Sequence, residues 1–491
     1  MALPAAARLI FIKECPGPVV TMQYTPPQPE IRMPNTMKTK TPLCSLLGAS
    51  LLLAATPGQA DDPGYQGVLI DEGVPGAAFV VEANVRSGPK PELIVSGFGP
   101  VEVGPAGPVI SDSGTVTVYR RAYRGYADKK GKSRAIKHVV VGEDEMITFP
   151  NRAQPALIND DKSQDIIVPG GYFFDSFIGQ ARGSLTWWEN QKDGTRWVRH
   201  DIVTGSPFSY HSAVFEDFDG DGIADIASVA EDAGDPSNPF DDIVELQLFA
   251  GVGDGTFAPA ATVGSGGGGL IEAYDVDGDG DQDIVSPQFF GDVAAQPFFP
   301  LEARNADSAS FVWFENLGGG AFSKHAIGLD QGPGFMITAV ENLLGDGITR
   351  WVATNHSNQN VTFPPLSQYP EPAVYEFTPG ADPRQPWAVR QLTPPGAFPV
   401  TGGVGQAAPG SIAAGKLNDD DLIDLAVSGD GARGLYWMEQ MADGSFLTRQ
   451  LPGSEGWGQA GGPVITNLGG NKKNEIVFGS FDLDSLGYWK R

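Results

Sequence analysis

Asp217-Phe218-Asp219-Gly220-Asp221-Gly222-Ile223-Ala224-Asp225-Ile226 is the stretch on which the fold turns. Carboxylates stand at positions 1, 3, 5 and 9, glycines hold positions 4 and 6, and the apolar run Ile226-Ala227-Ser228-Val229-Ala230 follows at once. Asp and Gly favour tight turns and β-branched residues favour strands, so this is a turn delivering the chain into a strand. A second full copy, Asp275-Val276-Asp277-Gly278-Asp279-Gly280-Asp281-Gln282-Asp283-Ile284, repeats the register. Weaker copies keep most of the acids (Asn159 to Val168, Asn418 to Leu425) or mainly the shape (Asn84 to Leu93, Asn342 to Trp351, Asn467 to Ile476). The ninth-position residues are then Glu92, Asp165, Asp225, Asp283, Arg350, Asp424 and Glu475, which makes seven units.

The spacing between units varies with loop length, as it does when each unit is one sheet of a propeller rather than one coil of a solenoid. An aromatic third strand recurs independently of the acids: Leu185 to Glu189, Phe311 to Glu315, Leu435 to Glu439 and Leu486 to Lys490. Its Trp and Tyr rings are expected between adjacent sheets, where large side chains fill the widening gap. Gln66 to Ile70 precedes the first unit, and the last unit stops at Arg491 one strand short, so pairing the two closes the ring and removes its open edges. The expected fold is all-β: a seven-bladed β-propeller of four-stranded blades closed by an N-terminal strand.

Composition agrees. The 491 residues include 64 Gly and 40 Pro with 41% hydrophobic residues, a turn-rich chain with ample core material, which excludes disorder and an all-helical fold. A net charge of −27 opposes binding to nucleic acid or insertion at anionic membrane. Met37, Lys38 and Lys40, the apolar run Leu43 to Ala55, and small residues Gly58 and Ala60 read as a secretory signal peptide over 37–60. Residues 1–36 then read as an upstream over-extension of the reading frame, and 61–491 as a single propeller in a secreted or periplasmic protein. Cys15 and Cys44 both fall in that leader, so the remainder has no disulfide or thiolate chemistry.

These residues resemble the FG-GAP/VCBS repeat family, seven-bladed propellers that include the integrin alpha-chain head and many secreted bacterial proteins. Trp187 to Asn190 and Trp313 to Asn316 stand in register with the acidic turns, and the resemblance covers nearly all of 61–491. It implies the fold and says little about the ligand, because one fold of this kind carries many activities.

The acidic turns point to Ca²⁺, since hard oxygens clustered on a tight turn suit that ion. The expected ligands are Asp217, Asp219, Asp221 and Asp225 with the carbonyl of Ile223, and Asp275, Asp277, Asp279 and Asp283 with the carbonyl of Asp281. An EF-hand is excluded: Ser228 and Ser286 replace the bidentate Glu, and strands flank the loops. The turns beginning near Asn159 and Asn418 lack a position 1 acid, having Leu157 and Lys416 there.

The links from second to third strand are long and share one face, so a ligand is expected there. Tyr172, Phe174, Asp175, Phe289, Phe290 and Arg304 are the candidate binding residues, and a carbohydrate or an extracellular protein is the candidate partner. A carbohydrate-active lyase or dehydratase is the rival, and it requires Arg182, Tyr210, His211 and His356 to converge at the axial mouth. An envelope-associated structural protein is the third reading. Gly266 to Gly269 reads as a flexible interblade link, because no Lys-Ser/Thr follows it.

Overall fold

Each of the seven ninth-position residues begins the second strand of a four-stranded antiparallel sheet. The computed structural model describes residues 64–86, 90–104, 107–120, 122, 135–159, 161–235, 241–356, 370–398, 409–429, 432–458, 460–469 and 473–491. The leader expected over 1–36 and 37–60 lies outside the described residues, which fall in one compact unit spanning 60–491.

Blade 1 consists of Ala77–Ala83, Glu92–Gly97, Thr115–Arg120 and Ile136–Val141; blade 2 of Gln154–Ala156, Asp165–Gly170, Gly183–Asn190 and Trp197–Ser206. Blade 3 is Ser209–Glu216, Asp225–Asp232, Ile243–Phe249 and Ala261–Ser265; blade 4 is Glu272–Tyr274, Asp283–Pro287, Phe311–Asn316 and Phe322–Gly328. Blade 5 is Gly334–Val340, Arg350–Asn355, Val374–Thr378 and Ala388–Gln391; blade 6 is Ile412–Gly415, Asp424–Gly429, Gly434–Gln440 and Phe446–Gln450. Blade 7 takes Ala460–Thr466, Glu475–Ser480 and Ser485–Lys490 from one end of the chain and Gln66–Asp71 from the other, with Gln66 opposite Lys490.

The innermost strand of each blade is the one that precedes the acidic turn. Second strands are buried along nearly their whole length, because neighbouring blades cover both faces, which is why they read as continuous apolar runs. Seven apolar clusters fill the seven interfaces between blades. Trp187, Tyr210 and Phe249 join blades 2 and 3, Trp313, Trp351 and Phe377 join blades 4 and 5, and Trp437, Phe478 and Trp489 join blades 6 and 7. The aromatic strands thus pack as their spacing implies.

Polar staples cross the same interfaces. The Asn190 amide donates to the carbonyl of Val85 in the blade 1 turn (2.6 Å), Asn316 to Phe218 in the blade 3 turn (2.9 Å), and Gln440 to Leu343 in the blade 5 turn (2.8 Å). Each is the last residue of a third strand, and its own N–H donates to the ninth-position carboxylate of its blade at 2.8 Å. One short hairpin, Val101–Gly104 with Gly107–Ile110, is inserted after the second strand of blade 1; the proline-rich run there gave no strand signal. Helical structure among the described residues is limited to 3-10 turns such as Gly291–Val293, and no helix is long and apolar enough to cross a membrane.

Asn190→Leu leaves buried carbonyls of two turns without donors and is expected to cost about 2–3 kcal/mol in urea denaturation. Exposed Gln191→Ala is the control, within about 0.5 kcal/mol of the parent. Burial pushes Asp165 and Asp424 up to about 6. The folded chain therefore keeps protons that the unfolded chain has released, and the stability these groups add is full below about pH 4 and lost as pH rises through 6. With divalent ions chelated, the melting temperature is expected to fall between pH 5 and pH 7.5, and Asp165→Asn with Asp424→Asn to flatten the slope.

Candidate functional site

The two complete acidic turns lie on one face of the ring, and each gathers three carboxylates. Oxygens of Asp217, Asp219 and Asp225 lie within 4.8 Å of one another, as do those of Asp275, Asp277 and Asp283. Backbone N–H groups fix them: Asp217 accepts from Gly220 (2.8 Å) and Gly222 (2.9 Å), and Asp225 from Phe218 (3.0 Å) and Gly251 (2.8 Å). Gly220 and Gly222 have φ of +81° and +88°, the left-handed backbone that lets the turn curl round its acids. Burial, with the charges of Asp277 and Asp279 added, pushes Asp283 up to about 7, and burial raises Asp225. A set of hard oxygens so crowded fits a cation.

The fifth-position acids sit apart from these clusters. Asp221 accepts the Ile223 N–H (2.8 Å) and Asp279 the Asp281 N–H (3.0 Å), so each side chain braces its own turn. The side chain of Asp281 and that of Ile223 are outside the clusters as well, which leaves only their carbonyls as donors.

The remaining turns carry cations of their own. Arg350 occupies the ninth position in blade 5 and grips Asp346 through two bonds (2.7 and 2.6 Å), with Glu376 at 3.3 Å. That contact holds the Asp346 carboxyl down at about 2. Lys416 at position 1 of the blade 6 turn pairs with Asp421 (2.9 Å), and Arg86 in the blade 1 turn lies close enough to Glu92 to lower its pKa against the larger effect of burial. In the blade 4 turn a cation arrives only from outside, Arg384 of blade 5 reaching Asp277 at 2.7 Å.

The opposite face carries the long links, and their aromatic rings form a belt round the axial mouth. Phe98 of blade 1 stacks on Phe149 (3.5 Å between centroids), which meets Tyr172 (5.6 Å). From Tyr172 the contacts run through Phe173 to Phe290 (5.2 Å), then Phe289 (5.0 Å) and His356 (5.9 Å). Phe481 of blade 7 closes on Phe98 from the other side (5.9 Å). All of these rings except the buried His356 are half-buried. Phe98, Phe149 and Phe481 carried no loop-length signal, although counting six residues on from the ninth position reaches Phe98, Gly171, Glu231, Phe289, His356, Asp430 and Phe481, which marks two of the three.

Tyr172, Phe174, Phe289 and Phe290 therefore come together. Asp175 and Arg304 serve the loops. Asp175 is buried and paired with Arg182 (2.6 Å), which also holds Asp112 (2.8 Å); Arg304 donates to the carbonyls of Phe299 and Leu329 and pairs with Asp330.

The four proposed catalytic residues sit in four settings. Arg182 is engaged as above, and Tyr210 points into the interface of blades 2 and 3, its hydroxyl donating to Gln247 (3.1 Å). His356 is buried between Phe289 and Phe335, and His211 pairs through Nδ1 with Glu231. His200 and His325 stack on Trp187 and Trp313 and bond Glu189 and Glu315, as repeat packing requires. The glycine link is a correction: it is pinned, because the N–H groups of Gly267, Gly268 and Gly269 donate to Gln288, Ser286 and Glu231. A Cβ at Gly269 would stand 2.8 Å from the Phe335 carbonyl, so the run is glycine to let one blade's link pass close to another's backbone.

Residues 158–228 match the family model of the FG-GAP-like repeat, a stretch that takes in the blade 2 and blade 3 turns. The seven-bladed ring is the fold that the resemblance to these repeats implies. No curated protein matches the chain. Among solved structures, an Agrocybe aegerita lectin that recognises non-reducing terminal N-acetylglucosamine is 15% identical over 77% of this chain and 80% of its own, with a TM-score of 0.42. A fungal alcohol oxidase of the AA5 family, in complex with copper, is 13% identical over 87% of this chain and 76% of its own, with a TM-score of 0.45. Likeness this low says nothing of what the chain binds.

Arg350→Met removes the internal cation of blade 5 and is expected to cost about 2–3 kcal/mol in chemical denaturation, since buried Glu376 keeps only Arg390. Arg350→Lys should recover part of the loss, because it restores charge without the two-pronged grip.

Proposed function

We propose that the chain is a secreted, calcium-stabilised propeller that binds carbohydrate on its long-loop face. The belt of half-buried rings from Phe98 to Phe289 carries the reading: apolar ring faces flanked by a few polar groups suit the C–H faces of a sugar. The acidic turns lie on the other face and serve the scaffold. Their donor sets are all oxygen, which favours Ca²⁺ over softer ions, and neither has a cation within its own turn. Asp217, Asp219 and Asp225, and Asp275, Asp277 and Asp283, would hold the ions with the carbonyls of Ile223 and Asp281, and Asp221 and Asp279 would turn inward to join them. Secretion rests on the signal peptide read over 37–60, which leaves 61–491 as the mature propeller. Exposed Phe177, Ile178, Phe298 and Leu301 on the same loops, with Ile243 where one of them enters its strand, favour an extracellular protein as the second reading.

Calcium at a hundredfold excess over its Kd is expected to stabilise the protein by about 2.7 kcal/mol per site. Chelation should lower the melting temperature, and Asp217→Asn with Asp275→Asn should make the protein insensitive to both; an unchanged melting curve in calcium overturns the metal assignment. A pooled glycan screen that reports retention and product together tests the ligand. Retention of unaltered glycans, weakened at least tenfold by Phe173→Ala with Phe290→Ala, supports carbohydrate binding; released product supports the lyase, and no retention sinks the carbohydrate reading.

A further inference from the structure

Arg152 stands just ahead of the innermost strand of blade 2, and its backbone N–H donates to the carbonyl of His211 on the innermost strand of blade 3 (3.1 Å). Burial lowers the Arg152 pKa, opposed by the charge of Glu272 on the innermost strand of blade 4. That carboxylate is nevertheless beyond ion-pair distance and already accepts the Ala339 N–H (3.3 Å) and a Thr338 hydrogen bond. Among the described residues the guanidinium of Arg152 makes no ion pair and no hydrogen bond, whereas every other arginine that is not exposed pairs with a carboxylate, Arg182 and Arg350 among them.

His211 is open in a complementary way. Glu231, only 1% exposed, holds Nδ1, which leaves Nε2 as the ring nitrogen facing away from that carboxylate. The His211 side chain is 17% exposed, Nε2 bonds no described residue, and the Phe173 ring lies 5.7 Å away. The inner walls of blades 2 and 3 therefore present an uncommitted guanidinium, an uncommitted imidazole nitrogen and an aromatic face, in a chain whose net charge is −27.

We infer that this axial end of the aromatic belt is a subsite for an acidic sugar, with Arg152 taking the carboxylate, His211 Nε2 bonding a ring hydroxyl and Phe173 facing the sugar ring. The inference rests on the carbohydrate reading above and names the class of sugar. Guanidinium matches carboxylate geometry with two parallel donors, and a half-buried cation with no protein partner gives up little to bind an anion.

Calorimetry with a glucuronate-terminated trisaccharide and its methyl ester tests it. The wild type is expected to bind the acid at least tenfold more tightly than the ester. Arg152→Met should erase that preference while leaving affinity for the ester within twofold, Arg152→Lys should keep part of it, and His211→Phe should weaken both ligands alike. Arg152→Met should not lower the melting temperature, because an unpaired, half-buried charge contributes no stability; a lowered melting temperature with the preference intact assigns Arg152 to balancing Glu272 and overturns the subsite. Equal affinity for acid and ester overturns the subsite and leaves carbohydrate binding standing. Binding of neither, with no glycan retained in the screen, overturns both.

Discussion

A carboxylate buried at the start of six of the seven second strands, with Arg350 in the seventh, is the constraint from which the ring is built. Asp165, Asp283 and Asp424 each accept the N–H of the last residue of the third strand, and that residue's own amide reaches into the turn of another blade. One acid thus sets register within a sheet and, through its partner, the seating of the next sheet. Apolar packing between blades supplies the larger energy but is non-directional. The hydrogen bonds choose which packing is allowed, because a slipped sheet would strand a buried carboxylate.

Crowding acids at these turns creates a charge problem that the chain meets in two ways. Blades 5 and 6 place Arg350 or Lys416 inside the turn, where a side-chain cation offsets the acids. The full turns of blades 3 and 4 have four acids beside no cation of their own, and Arg384 reaches only one of them from outside. The same balance separates the two faces. Acids and their counter-charges stabilise one end of the ring, while the other end, free of that duty, carries aromatic loops and the pair of uncommitted groups at Arg152 and His211.

Much of this was legible in the linear chain. The turn from Asp217 to Asp225 repeats in register, and because a turn is a local object its seven copies specify seven blades, their order and the start of each second strand. The tandem Trp strands and the Gln66 run likewise announce interblade packing and closure through local composition. The candidate site was legible only in part: the belt rings Tyr172, Phe289 and Phe290 stand on long links that loop length alone identifies, whereas Phe98 and Phe481 follow short apolar strands that read as core.

What the amino-acid order determined by itself is the repeat, hence the fold, the acidic face and the loop-bearing face, since each follows from contacts between residues near in sequence. Tertiary structure alone decided which polar groups remain available. Arg182 and Asp175 spend their charges on each other, Arg304 on Asp330, and Tyr210 commits its hydroxyl to Gln247, while Arg152, 59 residues from His211 and in a different blade, has no ion-pair or hydrogen-bond partner for its guanidinium among the described residues. A side chain's commitments are settled by neighbours that only ring closure brings within reach, and no pattern along the chain encodes that distance.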